Sequence, residues 1–127
     1  MRNLIFVALG GALGAICRYL ISRMADVSFP WGTLTVNLLG SFLIGIFVGF
    51  VNRGLLSPEM KLLLVTGFCG AFTTFSTFAN EAFTMLKVGN VMLMALYVGL
   101  SVSLGIVAVY AGLFLSGTGI VPPCRPN

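Results

Sequence analysis

The residues with the most chemical capacity lie together near the middle of the chain, in Gly67-Phe68-Cys69-Gly70-Ala71-Phe72-Thr73-Thr74-Phe75-Ser76-Thr77-Phe78. Four hydroxyls follow two glycines there, inside an otherwise apolar stretch. Glycine and β-branched residues weaken a helix, and hydroxyls compete for its backbone groups. A helix broken at this point frees carbonyls and amides, which is tolerated in an apolar medium only where the backbone is buried or lines a polar cavity. Broken helices of that kind are a recurring way to bind ions. A continuous helix with its hydroxyls bonded back to the preceding turn is the alternative, and the composition favours the break. Glu81 follows the cluster, as a functional carboxylate or as a hydrogen-bond partner for a neighbouring helix.

Two further polar stripes accompany this segment. Thr33, Asn37 and Ser41 follow one another at i, i+4 steps, as do Tyr97 and Ser101, with Gly105 extending the second line by a small residue. Such stripes either face each other across a narrow path or bond helices together. Phe75 and Phe78 are three apart and share a face if that half of the segment is helical, and the positive edge of an aromatic ring favours an anion without adding a charge. Paired phenylalanines also serve simply as packing. Arg18 either reaches the interface or draws anions toward a vestibule.

The elements that must position these groups follow from composition. Of 127 residues, 58% are apolar and 8% charged, with a mean hydropathy of +1.08. A soluble surface needs roughly a quarter charged residues, so the solvent for this chain is lipid. A spanning helix takes about 20 apolar residues, and four segments qualify: Leu4 to Ile21, Thr33 to Val51, Leu62 to Leu86 and Val91 to Leu115. The start resembles a signal peptide, but its apolar run continues past any small-residue cleavage site and reads as the first span. An all-α, single four-helix transmembrane domain over residues 1–127 is expected, with a flexible tail over 116–127. The sequence holds no His and three widely spaced Cys, Cys17, Cys69 and Cys124. That removes the usual metal ligands, disulfide frameworks and His-dependent catalysis, so no enzyme is expected. The basic residues form no cluster, which argues against nucleic acid.

An even number of spans puts both ends on one side. Arg2, Arg53, Lys61 and Arg125 fall on that side, and Arg18, Arg23 and Lys87 on the other. Four against three is almost no bias under the positive-inside rule. Insertion in both orientations is then open, and with it an antiparallel homodimer. A single weakly specified orientation is the other reading.

Several of these strings resemble one family. Trp31-Gly32-Thr33-Leu34-Thr35-Val36-Asn37, Gly67-Phe68-Cys69-Gly70 and Thr73-Thr74-Phe75-Ser76-Thr77-Phe78 with Glu81 look like the Fluc/CrcB fluoride channels. Gly10-Gly11 with Gly14 and Arg18, and the Tyr97/Ser101 pair, agree in order and spacing. The likeness runs from Gly10 to about Gly105. It implies a dual-topology homodimer in the cell (inner or plasma) membrane, passing fluoride outward and so protecting the cell from its toxicity. It also implies a structural sodium ion at the dimer centre, on backbone carbonyls of Gly70 and Thr73 from each subunit. Phe75 and Phe78 match pathway-lining phenylalanines. Asn37, Thr77, Tyr97 and Ser101 match polar residues along the path, Arg18 a vestibule residue, and Glu81 a polar residue near the pore. Ala71 departs from the second glycine that many relatives carry.

The chemistry suits that resemblance. Fluoride is small and strongly hydrated, so a pore must replace its water with donors, binding it firmly enough to admit it and weakly enough to release it. A small proton-coupled transporter is the main rival, but it needs a carboxylate in the first span, and Leu4 to Ile21 has none. An assembly subunit of a larger membrane complex leaves the Thr/Ser/Phe cluster unexplained.

Overall fold

A computed structural model describes residues 1–23 and 29–118. The elements are α1 (Arg2–Arg23), α2 (Trp31–Asn52), α3 (Pro58–Lys61), a π-helix (Leu62–Cys69), α4 (Gly70–Phe72), α5 (Phe75–Lys87) and α6 (Val91–Leu115). Among the described residues, four helical runs are long and apolar enough to cross a membrane: Arg2–Arg23, Trp31–Asn52, Pro58–Lys87 and Val91–Leu115. The chain is therefore a multi-pass membrane protein, all-helical among the described residues.

Local chemistry fixes where these runs begin. Ser57 caps the third span, its hydroxyl accepting from Met60 N at 3.2 Å, with Pro58 in the first turn where no amide partner is needed. Asn90 caps α6 by accepting from Leu93 N at 3.3 Å. Just before it, Gly89 takes φ +78° and closes α5, a conformation that favours glycine.

The two extensive interfaces are α2 on α6 and α1 on the π-helix. Both depend on absent side chains. A Cβ at Gly45 would overlap the Val109 carbonyl, and one at Gly112 the Phe42 carbonyl. Likewise Gly10 lies against the Leu63 carbonyl and Gly14 against that of Phe68. Such close approach takes the place of the hydrophobic effect, which is missing between helices in lipid. Gly112→Val is expected to destabilise the fold by about 1–3 kcal/mol through overpacking. Gly99→Ala, with nothing within 4 Å of the added carbon, should be near neutral. Thermal unfolding of the two variants in detergent checks the difference.

Gly67 contributes differently from the sequence expectation. It does not loosen the third span but stays helical and packs on α1, where a Cβ would meet the Val7 carbonyl at 2.8 Å. The π-helix, with its extra residue in the turn, is seated on that contact.

The first residues of the expected tail, Ser116 to Thr118, pack against the end of α2. Ser116 and Thr118 are buried. Arg53 Nη1 donates to the Ser116 carbonyl at 2.6 Å and Thr118 Oγ1 to the Gly49 carbonyl at 3.1 Å. These bonds tie the ends of α2 and α6 together, and the Arg53 charge meets the negative end of the α6 dipole. Residues 119–127 of the expected tail lie outside the described residues, as does Cys124.

Candidate functional site

Halfway along the third span the helix stops. Thr73 (φ −78°, ψ 157°) and Thr74 (φ −145°, ψ 112°) are both extended. The last turn ends on the Cys69 carbonyl, which accepts both the Thr73 amide at 3.1 Å and the Thr73 hydroxyl at 3.0 Å. From α2, Asn37 takes hold of the next residue at two points. Its Oδ1 accepts from Thr74 N at 2.8 Å and its Nδ2 donates to the Thr74 carbonyl at 3.2 Å. One turn further on α2, Gly40 leaves room for the Thr73 methyl. Thr74 then caps α5, its hydroxyl accepting from Thr77 N at 3.3 Å and donating to the Thr77 hydroxyl at 2.9 Å.

These bonds decide which carbonyls are free. In an unbroken α-helix, Thr74 N would donate to Gly70 O and Thr77 N to Thr73 O, four residues back. Thr74 N goes to Asn37 instead, and Thr77 N to the Thr74 hydroxyl. The Gly70 and Thr73 carbonyls thereby lose their helical donors. Hard oxygen atoms of this kind suit a small, hard cation.

A second cluster lies toward the start of α2. Glu81 on α5 accepts from Thr33 at 2.7 Å through one oxygen and from Tyr97 on α6 at 2.8 Å through the other. Tyr97 is fully buried. Its ring lies 5.1 Å from that of Phe78, which lies 6.0 Å from Phe75. On the other side Phe29 meets Tyr97 edge-on at 5.6 Å, and Trp31 follows Phe29 at 4.6 Å. Five rings thus run from the start of α2 to the break.

Two cavities flank this line. One of about 590 Å³ is bordered by Phe29, Thr33, Thr77, Asn80, Glu81 and Thr84 among others. The second, of about 390 Å³, is bordered by Asn37, Ser41, Gly70, Thr73, Phe75 and Phe78 among others. Among the described residues lining them none is basic, so the donors facing both spaces are hydroxyls, amides and ring edges.

The sequence-expected residues therefore separate into groups. Asn37 joins Thr73 and Thr74 at the break. Glu81 joins Thr33 and Tyr97, with Thr77 on the same cavity and Phe75 and Phe78 between the two groups. Ser101 stands apart, its hydroxyl buried without a hydrogen-bond partner among the described residues. One turn on, Gly105 faces Ser41 across α2 and α6, an added Cβ lying 3.7 Å from the Ser41 hydroxyl. Arg18 is half-buried on α1 and borders neither cavity. Sequence reasoning missed Phe29 beside Tyr97, gave Trp31 no role beyond the family string, and missed Asn80 and Thr84 beside Glu81. The last two were within reach, since Thr77, Asn80, Glu81 and Thr84 form one polar face of α5.

Relatives exist for nearly the whole chain. A protein of Leptospira interrogans named fluoride-specific ion channel FluC is 49% identical over 119 residues, 90% of this chain and 94% of the relative. Proteins of the same name from Agrobacterium fabrum and Bacteroides fragilis are 49% and 44% identical, each over 91% of this chain and 96% of their own length. Residues 5–113 match the profile of the family described as CrcB-like protein, Camphor Resistance (CrcB). With that match extending from α1 into α6, the chain belongs to the CrcB family.

Proposed function

We propose that this protein is a fluoride channel of the cell membrane, letting fluoride leave the cell passively as an antiparallel homodimer. The observation that carries the reading is the junction at Tyr97 and Phe78. Tyr97 is bonded to Glu81 at the first cavity, Phe78 borders the second, and the two rings are in contact. The path offers donors without a fixed cation, which suits an ion that must be stripped of water and then released. The fluoride-channel names of the relatives support the same ion. We assign Phe75, Phe78, Thr77, Tyr97 and Ser101 to that path, with Glu81 and Asn37 beside it and Arg18 at its approach.

Two observations support a second copy. At the break, Gly70 is exposed with open space around it, and Phe75 is 79% exposed. An unbonded carbonyl facing lipid is costly, and a partner related by a two-fold axis covers it. Two copies then bring four carbonyls, from Gly70 and Thr73 of each, to hold a sodium ion. When bound, that ion supplies the positive charge that joins two carbonyl-rich breaks.

Fluoride resistance tests the function. Bacteria lacking their own fluoride exporters should regain growth in fluoride medium when they make this protein, and growth no better than with an empty vector would refute the reading. Topology is tested separately. A C-terminal tag should be reached from both membrane faces in comparable amounts, whereas one-sided labelling of functional protein would rule out the antiparallel pair.

A further inference from the structure

We infer that Asn37 is the positioning residue of the central cation site, acting through the backbone of Thr74 rather than only as a donor on the fluoride path. The inference rests on the sodium reading above and adds a cause to it. A cation needs free carbonyls, and helices do not leave carbonyls free unless their donors go elsewhere. The donor owed to Gly70 is Thr74 N, and Asn37 Oδ1 takes it at 2.8 Å. The Nδ2 contact at 3.2 Å on the Thr74 carbonyl makes the hold two-pointed and sets the amide orientation, since only the oxygen can face an N–H.

Among the described residues, Asn37 is the group that takes the Thr74 amide. Thr74 is 6% exposed, so water does not replace the lost partner. Without Asn37 the Thr74 amide is a buried, unsatisfied donor, and its α-helical acceptor is the Gly70 carbonyl four residues back. Removing the Asn37 amide therefore draws the break toward an ordinary helical turn and takes the Gly70 carbonyl from the cation. The Gly40 gap holds Thr73 on the same face of α2, one turn away. One helix thus aligns the broken segment of another, and Asn37 serves the site without touching the ion.

The test reads cation binding, not flux. Purified protein in fluoride-free buffer is melted in sodium chloride and in N-methylglucamine chloride, for wild type, Asn37→Leu, Asn37→Ser and Phe78→Ile. Wild type should melt higher in sodium, because a ligand bound only by the native state stabilises it. Asn37→Ser removes the two-point hold, since one short hydroxyl cannot span both Thr74 groups, and it decides the matter if the Leu variant does not fold. Both Asn37 variants should lose the sodium-dependent rise, and Phe78→Ile should keep it. A folded Asn37 variant with the wild-type rise overturns the inference, as does loss of the rise in Phe78→Ile, which would make it a general packing effect. Absence of the rise in wild type defeats the sodium reading itself, and the inference with it.

Discussion

Replacing Phe75 or Phe78 by Ile is expected to lower fluoride flux by about two- to tenfold while the protein still folds. Ile keeps bulk and hydrophobicity but lacks the positive ring edge. Edge contacts between aromatic rings, the nearest scale for a ring edge facing an anion, contribute about 0.5–1.5 kcal/mol each, and about 1.4 kcal/mol on a barrier is a tenfold change in rate. Phe75 is 79% exposed in the single chain, so its replacement costs little of the subunit's own packing. Phe78 should show the larger effect, because it also braces Tyr97 at 5.1 Å. Met, flexible and polarizable, should retain part of the flux at either position. The assay is fluoride efflux from liposomes, normalised to folded protein by size-exclusion profile. Wild-type flux in both Ile variants would mean that the rings only pack, leaving hydroxyls and amides as the path.

The second large effect is expected at Glu81. Its two oxygens accept from Thr33 and from the fully buried Tyr97. Glu81→Leu leaves both hydroxyls without their acceptor, at about 1–3 kcal/mol for each buried group left unsatisfied. Tyr97 is then free to turn, and the contact between the two cavities is lost with it. Melting temperature and flux should both fall. Glu81→Gln keeps one acceptor oxygen and presents an N–H to the other hydroxyl, which can rotate to accept it. That variant should keep most of its stability and lose far less flux than Leu. If Gln proves as damaging as Leu in flux while remaining folded, the charge of Glu81 matters and not only its hydrogen bonds.

The physical reasons for what was and was not legible in the sequence differ by residue. Span positions depend on summed hydropathy and on caps such as Ser57 and Asn90, both readable locally. The interruption of the third span was legible as to region, because adjacent threonines compete with the helix for hydrogen bonds. Its place was less so. The glycines at 67 and 70 remain helical, and the chain opens at Thr73 and Thr74, where a side chain 37 residues earlier takes the amide. The Thr33–Glu81 bond spans 48 residues in sequence, and no periodicity within one helix reports a partner on another. The π-helix over Leu62–Cys69 was equally hidden. It depends on α1 having Gly10 where the Leu63 carbonyl approaches, a pairing that exists only after the helices meet. The i, i+4 stripe of Thr33, Asn37 and Ser41 was visible, but its members have different partners. Thr33 meets Glu81, Asn37 holds Thr74, and Ser41 faces Gly105.

Fluoride conduction is tested most directly by purifying the chain alone, reconstituting it into liposomes loaded with potassium fluoride or potassium chloride, and releasing the ions with a potassium ionophore. A fluoride electrode should record rapid, protein-dependent efflux, while a chloride electrode on the matched vesicles should record none above protein-free liposomes. Fluoride release no faster than from empty liposomes, or chloride release at a comparable rate, would contradict a fluoride-selective channel.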